Sequence, residues 1–187
     1  MYLTNILPFA HYLLSNAVKP GDTVIDGTAG NGHDTLALAQ MVGANGKVWA
    51  FDIQAQALAQ TAARLDQAGA RAQVAYIQAG HERLADYVAE PITAAIFNFG
   101  WLPGGDKTLT TQADTSIRAL ESALHLLKSG GLLAAVLYPG HEAGNREAAA
   151  VEQWAALLPQ QQYSVLKYGF INRRNQPPYL LAAEKLK

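Results

Sequence analysis

The chain contains no cysteine. Disulfides and thiolate metal sites are therefore excluded, and no metal is expected. Excess charge is also missing: the formal net charge is −1 at pH 7, so there is no global basic field. Any contact with nucleic acid must come from a local patch or from a partner chain. No run is long and apolar enough to cross a membrane. The opening MYLTNILPFAHYLL is apolar, but it lacks a basic leader and a clear small-residue cleavage site, and it carries Asn5, Pro8 and His11. It is expected to be a helix and not a signal peptide, which makes the cytoplasm the expected compartment. Repeats, linkers and low-complexity stretches are absent as well. What the chain has is apolar content, 50% over 187 residues. That suits one domain, 1–187, with a sizeable core.

The stretch Thr23–Asp34, TVIDGTAGNGHD, organises the rest. Thr23-Val24-Ile25 is a β-branched run suited to a buried strand, and Asp26 ends it. Gly27, Gly30 and Gly32 crowd a tight turn, and Asp34-Thr35-Leu36-Ala37-Leu38-Ala39 starts a helix. Strand, glycine turn and helix in that order make a nucleotide site. The glycines admit a ligand close to the backbone, and the helix N-terminus offers free N–H groups. The next strand, Lys47–Ile53, delivers Asp52 at its tip, placed to hold the two hydroxyls of a ribose. The turn reads D-G-x-x-G-x-G and not the G-x-G-x-x-G of dinucleotide sites. A carboxylate at its mouth, Asp26, would repel a pyrophosphate. It would face the ammonium and sulfonium of S-adenosylmethionine favourably. The turn resembles motif I of the class I S-adenosylmethionine-dependent methyltransferases, with Asp52 matching their ribose-binding acid.

Apolar residues recur at helical spacing from Ile6 to Val18, with Pro8 in the first turn. This helix, within 1–20, is expected to cover one side of the site, with His11 either pointing at the ligand or, the favoured reading, sitting on the helix surface. Gln54–Gln67 reads as a helix stopped by Gly69, and Gln73–Ala79 as a strand. Ile92–Asn98 is the fourth strand. Thr115–Leu127 is a helix ended by Ser129-Gly130-Gly131, and Leu132–Tyr138 is the fifth strand. A polar loop over 139–146 leads to a helix over Glu147–Leu158, and Tyr163–Ile171 and Tyr179–Leu186 are the last strands. Alternating strands and helices, then two strands without a helix between them, predict an α/β fold. Its seven-stranded sheet is mostly parallel with one antiparallel strand, and helices cover both faces. Ligands in such sheets bind beyond the carboxyl ends of the strands. That rim collects Asp26, Asp52, the segment after Ala79, Asn98 and Tyr138.

Methyl transfer from a sulfonium is an in-line displacement that needs a neutral nucleophile, so alignment carries much of the catalysis. Amino-methyltransferases often place Asn/Asp-Pro-Pro-aromatic at the end of the fourth strand. Here that place reads Asn98-Phe99-Gly100-Trp101. The amide of Asn98 can accept a hydrogen bond from a target amine, and Trp101 can stack on a base, but the prolines are missing.

The strings LTNILPFAH, DGTAGNGHDT, AGHERL, NFGWLPGGDK, YPGHEAGNRE and RRNQPPYL run from end to end. Together they resemble the bacterial tRNA 5-aminomethyl-2-thiouridine methyltransferases, a family long labelled rRNA methylase. The resemblance covers essentially the whole chain. It implies a Rossmann-like class I methyltransferase that uses S-adenosylmethionine to methylate the exocyclic amine of the wobble uridine. The implied partner is the anticodon region of tRNA. Asp26, Gly27, Gly30, Asn31 and Gly32 would then surround the methionine part of the cofactor, with Thr28 and Asp34 in the same cofactor set. Asp52 and Gln54 would hold the ribose, and Gly80 and His81 would flank the adenine. Asn98, Gly100, Trp101 and Asp106 would form the acceptor pocket, and Tyr138, His141, Arg173 and Arg174 would face the RNA. Asp106 is the carboxylate nearest in sequence to the Asn98–Trp101 corner. It is expected to attract the incoming ammonium and relay its proton to water, or else to anchor its loop by pairing with Lys107 or Arg118. A homodimer is expected, since a second copy would extend the RNA-contacting surface. The competing readings are a methyltransferase of ribosomal RNA, a small-molecule N- or O-methyltransferase, and a non-catalytic cofactor-binding subunit.

Overall fold

The computed structural model describes residues 2–100 and 110–187. The helices are α1 (Ile6–Ala17), α2 (His33–Val42), α3 (Ala55–Gln67), α4 (Ala113–Leu126) and α5 (Glu142–Ala156). The strands are β1 (Thr23–Asp26), β2 (Lys47–Asp52), β3 (Val74–Gln78), β4 (Ile92–Phe99), β5 (Leu127–Leu137), β6 (Tyr163–Tyr168) and β7 (Tyr179–Lys185). Single 3₁₀ turns cover Arg71–Gln73 and His81–Asp86. None of the described helices is long and apolar enough to cross a membrane.

The strands form one seven-stranded sheet in the order β3-β2-β1-β4-β5-β7-β6. β7 runs antiparallel to both of its neighbours, and the other pairings are parallel. The sheet is therefore of the expected kind. Strand order reverses between β1 and β4, which opens a crevice at their carboxyl ends, where sheets of this type bind ligands.

Period-two alternation divides the core into two layers. On β4, Ala94 and Ile96 face the layer that holds Ile6, Leu14, Leu38 and Leu65 from α1, α2 and α3. Ala95, Phe97 and Phe99 face the layer with Leu120 and Leu124 of α4 and Val151 of α5. β4 is buried along its length apart from Asn98, so one polar side chain stands at the end of an apolar strand.

Three boundaries differ most from the sequence reading. Helix α4 stops at Leu126, and the strand after it already begins at Leu127. Leu127 pairs with Ile92 across the sheet, and the register then shifts so that Ala94 faces Leu132. Ser129-Gly130-Gly131 sits inside this irregularity and does not end a helix. Gly130 has φ 75°, and a Cβ on Gly131 would lie 2.8 Å from the Lys128 carbonyl. Helix α5 starts at Glu142, inside the expected loop. Its start is set by His141, whose Nδ1 accepts from the Gly144 N–H at 3.1 Å. Strand β6 ends at Tyr168, so the connection to β7 is longer than expected. In it Asn175 and Gln176 take positive φ, 63° and 46°, a conformation that non-glycine residues rarely hold without a local reason.

Candidate active site

A cavity of about 770 Å³ opens over the carboxyl ends of β1, β2, β4 and β5. Its size is that of a site for a small molecule of cofactor dimensions. One wall is the turn Gly27–Asn31 with His33 and Asp34 of α2. Asp52, Ile53 and Gln54 follow it at the tip of β2, and Ala79–Glu82 lie after β3. The opposite wall is Asn98–Gly100, Thr110–Gln112, Tyr138 and His141, and Asn175–Pro178 form the rim.

The turn needs its glycines for two separate reasons. Gly30 and Gly32 have φ 52° and 78°, left-handed values that an L side chain resists. A Cβ on Gly27 would lie 2.1 Å from Phe97 Cε1 in the buried core. Gly32 is not a lining residue. It packs from behind, where a Cβ would meet Thr61 Cα at 2.8 Å. Asp52 braces the front of the turn: its Oδ2 accepts from Gly30 N–H and its Oδ1 from Gln54 N–H, both at 2.9 Å. The carboxylate still lines the cavity, and its oxygens have lone pairs left for a ligand's hydroxyls.

Asp26 requires a correction. It is fully buried, lies outside the cavity lining, and does not stand at the mouth. Ala50 and Ile96 flank it on the neighbouring strands. Its carboxyl accepts from Thr28 N–H at 3.1 Å and from the Thr35 hydroxyl at 2.5 Å, beneath the turn. Burial pushes its pKa up to about 7, with the neighbouring charge of Asp34 adding to the rise. The carboxylate that does face the cavity on this side is Asp34.

A polar chain crosses the back of the site. Tyr138 OH donates to Asn98 Oδ1 at 3.4 Å, Asn98 Nδ2 donates to Asp34 Oδ2 at 2.5 Å, and His11 Nε2 donates to Asp34 Oδ1 at 2.5 Å. The Asn98 N–H donates to Thr28 Oγ1 at 2.7 Å, which ties the end of β4 to the glycine turn. With its NH₂ committed to Asp34, Asn98 presents its carbonyl oxygen as the acceptor. His11 is thus not a plain surface residue of α1, as the sequence suggested. The hydrogen bond to Asp34 raises its pKa against the opposing effect of burial. Burial, reinforced by Asp34, raises that of Tyr138.

His81 lines the cavity and is largely buried, its ring edge-on to Phe97 and Phe99. Burial lowers its pKa and so favours the neutral imidazole. Its Nε2 finds no hydrogen-bond partner among the described residues, as suits a group awaiting a ligand. Gly80, Gly100, Tyr138 and His141 line the cavity. Arg173 and Arg174 do not; both are exposed on the loop that leads to the rim. Arg173 lies 3.7 Å over the Phe170 ring and donates to Asn5 Oδ1 at 3.0 Å. Trp101 and Asp106 lie outside the described residues.

Sequence reasoning missed two features. Glu147 is buried and accepts from the Ser116 hydroxyl at 2.5 Å and from Thr111 at 2.8 Å, which fixes the segment entering α4 against α5. The left-handed pair Asn175-Gln176 brings Pro177 and Pro178 to the cavity. The adjacent prolines marked that loop but gave no direction.

Residues 48–184 match the family described as "Putative rRNA methylase". The chain is 39% identical over 178 residues to the chloroplastic tRNA (mnm5s2U34)-methyltransferase of Arabidopsis thaliana, a match that covers 90% of this chain. The chain spans 65% of the length of that relative. A crystal structure described as a putative rRNA-methylase from Clostridium thermocellum superposes over 100% of both chains, with a TM-score of 0.98 and 39% identity. A crystal structure described as a putative methyltransferase from Streptococcus mutans, in complex with SAH, matches over 98% of this chain and 99% of its own, with a TM-score of 0.91 and 38% identity.

Proposed function

The chain belongs to the rRNA methylase family of S-adenosylmethionine-dependent methyltransferases, and from that premise we propose that it methylates the exocyclic amine of 5-aminomethyl-2-thiouridine at the wobble position of tRNA. The observation that carries the acceptor is the 39% identity, over 90% of this chain, to a methyltransferase of a tRNA wobble uridine. The older family label favours ribosomal RNA as the second reading.

The residues fit the cofactor. Gly27 presents bare backbone to the cavity, Asp52 offers a carboxylate at a strand tip, and His81 offers an unpaired ring nitrogen. In this reading Gly27, Thr28, Gly30 and Asn31 surround the methionine part. Asp52 and Gln54 hold the ribose, and Gly80 with His81 meets the adenine. When bound, S-adenosylmethionine supplies an electrophilic methyl group on a sulfonium. The chain's own task is to present the amine's lone pair to that methyl. The Asn98 carbonyl oxygen, fixed by Asp34 and Tyr138, accepts one N–H of the amine and so orients its lone pair. Gly100 leaves room beside it. Trp101 stacks on the base, while Tyr138, His141, Arg173 and Arg174 meet the RNA. A second copy of the chain extends that surface, and the cytoplasm is the compartment of the reaction.

The test is nucleoside analysis of tRNA from cells that lack this protein. Accumulation of the unmethylated aminomethyl nucleoside, cleared by adding the purified protein and S-adenosylmethionine, supports the proposal. Unchanged tRNA nucleosides alongside a missing methyl group in ribosomal RNA would replace it with the second reading.

A further inference from the structure

An alkyl amine with a lysine-like pKa near ~10.4 is almost wholly protonated at pH 7, and an ammonium has no lone pair. Asn98 can orient the amine but cannot take its proton. Three described carboxylates line the cavity, Asp34, Asp52 and Glu82. Asp52 stands at the tip of β2, where it braces the turn and is assigned to the ribose, and Glu82 lies in the 3₁₀ turn after β3, beside His81. Asp34 alone of these three is bonded to Asn98, the group that fixes the acceptor. Its other oxygen is held by His11, whose side chain is 31% exposed while that of Asp34 is 12% exposed. The pair therefore runs from the cavity wall to solvent.

We propose that Asp34 receives the substrate's ammonium and takes its proton, and that His11 is the positioning residue that holds Asp34 and opens the pair to water. This rests on the reading of the acceptor as an alkyl amine. In the step, one N–H bond of the ammonium breaks and its electron pair stays on nitrogen as the attacking lone pair. The proton forms an O–H bond on Asp34 and is returned to water on the His11 side. The charged and titratable groups around the pair are Asp26 on β1, Asp52 at the tip of β2, His33 on α2 and Tyr138 on β5. Of these, Asp26 adds to the attraction that favours the charged His11 ring, after the direct hydrogen bond to Asp34. A ring that binds its proton more firmly than usual makes the pair a stronger base, one that reaches full strength only as pH rises past the ordinary histidine range.

The test is single-turnover methylation of tRNA bearing 5-aminomethyl-2-thiouridine between pH 6 and 10, with calorimetry of S-adenosylmethionine binding and ¹⁵N NMR of the His11 ring in the cofactor-free protein. Asp34→Asn is expected to lower the rate at pH 7 by about a hundredfold or more. That rate should recover about tenfold per pH unit as free neutral amine appears, with cofactor affinity changed less than about threefold. His11→Gln keeps a donor toward Asp34 but cannot titrate; it is expected to lose about tenfold at pH 7 and to lose the limb that wild type shows there. The His11 ring is expected to titrate lower in Asp34→Asn than in wild type. A cofactor affinity that falls as far as the rate in Asp34→Asn overturns the proposal and makes Asp34 a cofactor ligand. An Asp34→Asn rate equal to wild type, an unmoved His11 titration, or the pH-rescued loss appearing in Asp106→Asn instead overturns it as well. A wild-type protein that methylates no such tRNA at any pH overturns the functional reading, and this inference with it.

Discussion

Asp52→Ala removes two hydrogen bonds from the turn, those to the Gly30 and Gln54 N–H groups at 2.9 Å, together with the carboxylate assigned to the ribose. A hydrogen bond to a charged group contributes about 1.5–3 kcal/mol. Removal of a single ribose hydrogen bond at the lower figure weakens S-adenosylmethionine binding roughly tenfold, and removal of two at that figure roughly a hundredfold. The two backbone donors are exposed to cavity water once the carboxylate is gone, so the cost to the fold is expected at the low end, about 1–3 kcal/mol in all. For a chain of this size that lowers Tm by roughly 2–4 °C per kcal/mol. The variant should therefore bind the cofactor at least roughly tenfold more weakly, be modestly less stable, and gain less Tm from saturating cofactor than wild type does. Isothermal calorimetry and thermal unfolding with and without S-adenosylmethionine measure all three. Unchanged affinity in a folded variant would refute the assignment. A variant that unfolds outright would show instead that the brace on Gly30 dominates.

Gly27→Ala places a Cβ within 2.1 Å of the buried Phe97 ring and is expected to cost at least about 1–3 kcal/mol. Thermal unfolding should show that penalty shrinking in a Phe97→Leu background, and equal penalties in both backgrounds would refute the steric clash. Glu147 has a pKa raised chiefly by burial, so the native state holds its proton to higher pH than the unfolded chain, and wild type loses stability as pH rises through the carboxylate range. Glu147→Gln has no such loss, so its stability relative to wild type should rise over that range in denaturant titrations and then stay level; a pH-independent difference would contradict the raised pKa. Arg173→Ala with Arg174→Ala should weaken tRNA binding and reduce its salt slope by about one for each phosphate the pair neutralises, leaving cofactor affinity unchanged. Because Arg173 is already engaged with Phe170 and Asn5, most of the change is expected from Arg174. An unaltered slope would remove both from the RNA surface.

What the sequence determined by itself is the part of the molecule whose causes are local. Strands alternating with helices, then two strands joined without a helix, were enough for a mostly parallel sheet with one reversed strand; the pairing in the sheet decided that this strand is β7. Left-handed backbone at Gly30 and Gly32 is a demand on single residues, so the glycine turn was visible before any packing was known. Asp52 at a strand tip follows from the length of β2. Only the tertiary structure decided which carboxylate faces the cavity. Asp26 and Asp34 lie within one strand-turn-helix segment, and nothing near them in sequence says that β2 and β4 flank the first and bury it under Thr28 and Thr35. His11 and Asp34 stand 23 residues apart, and Asp34 and Asn98 stand 64 apart. Hydrogen bonds of that reach depend on where α1 and α2 are laid across the sheet, a placement set by the packing of Leu14 and Leu38 in one core layer and not by any spacing along the chain.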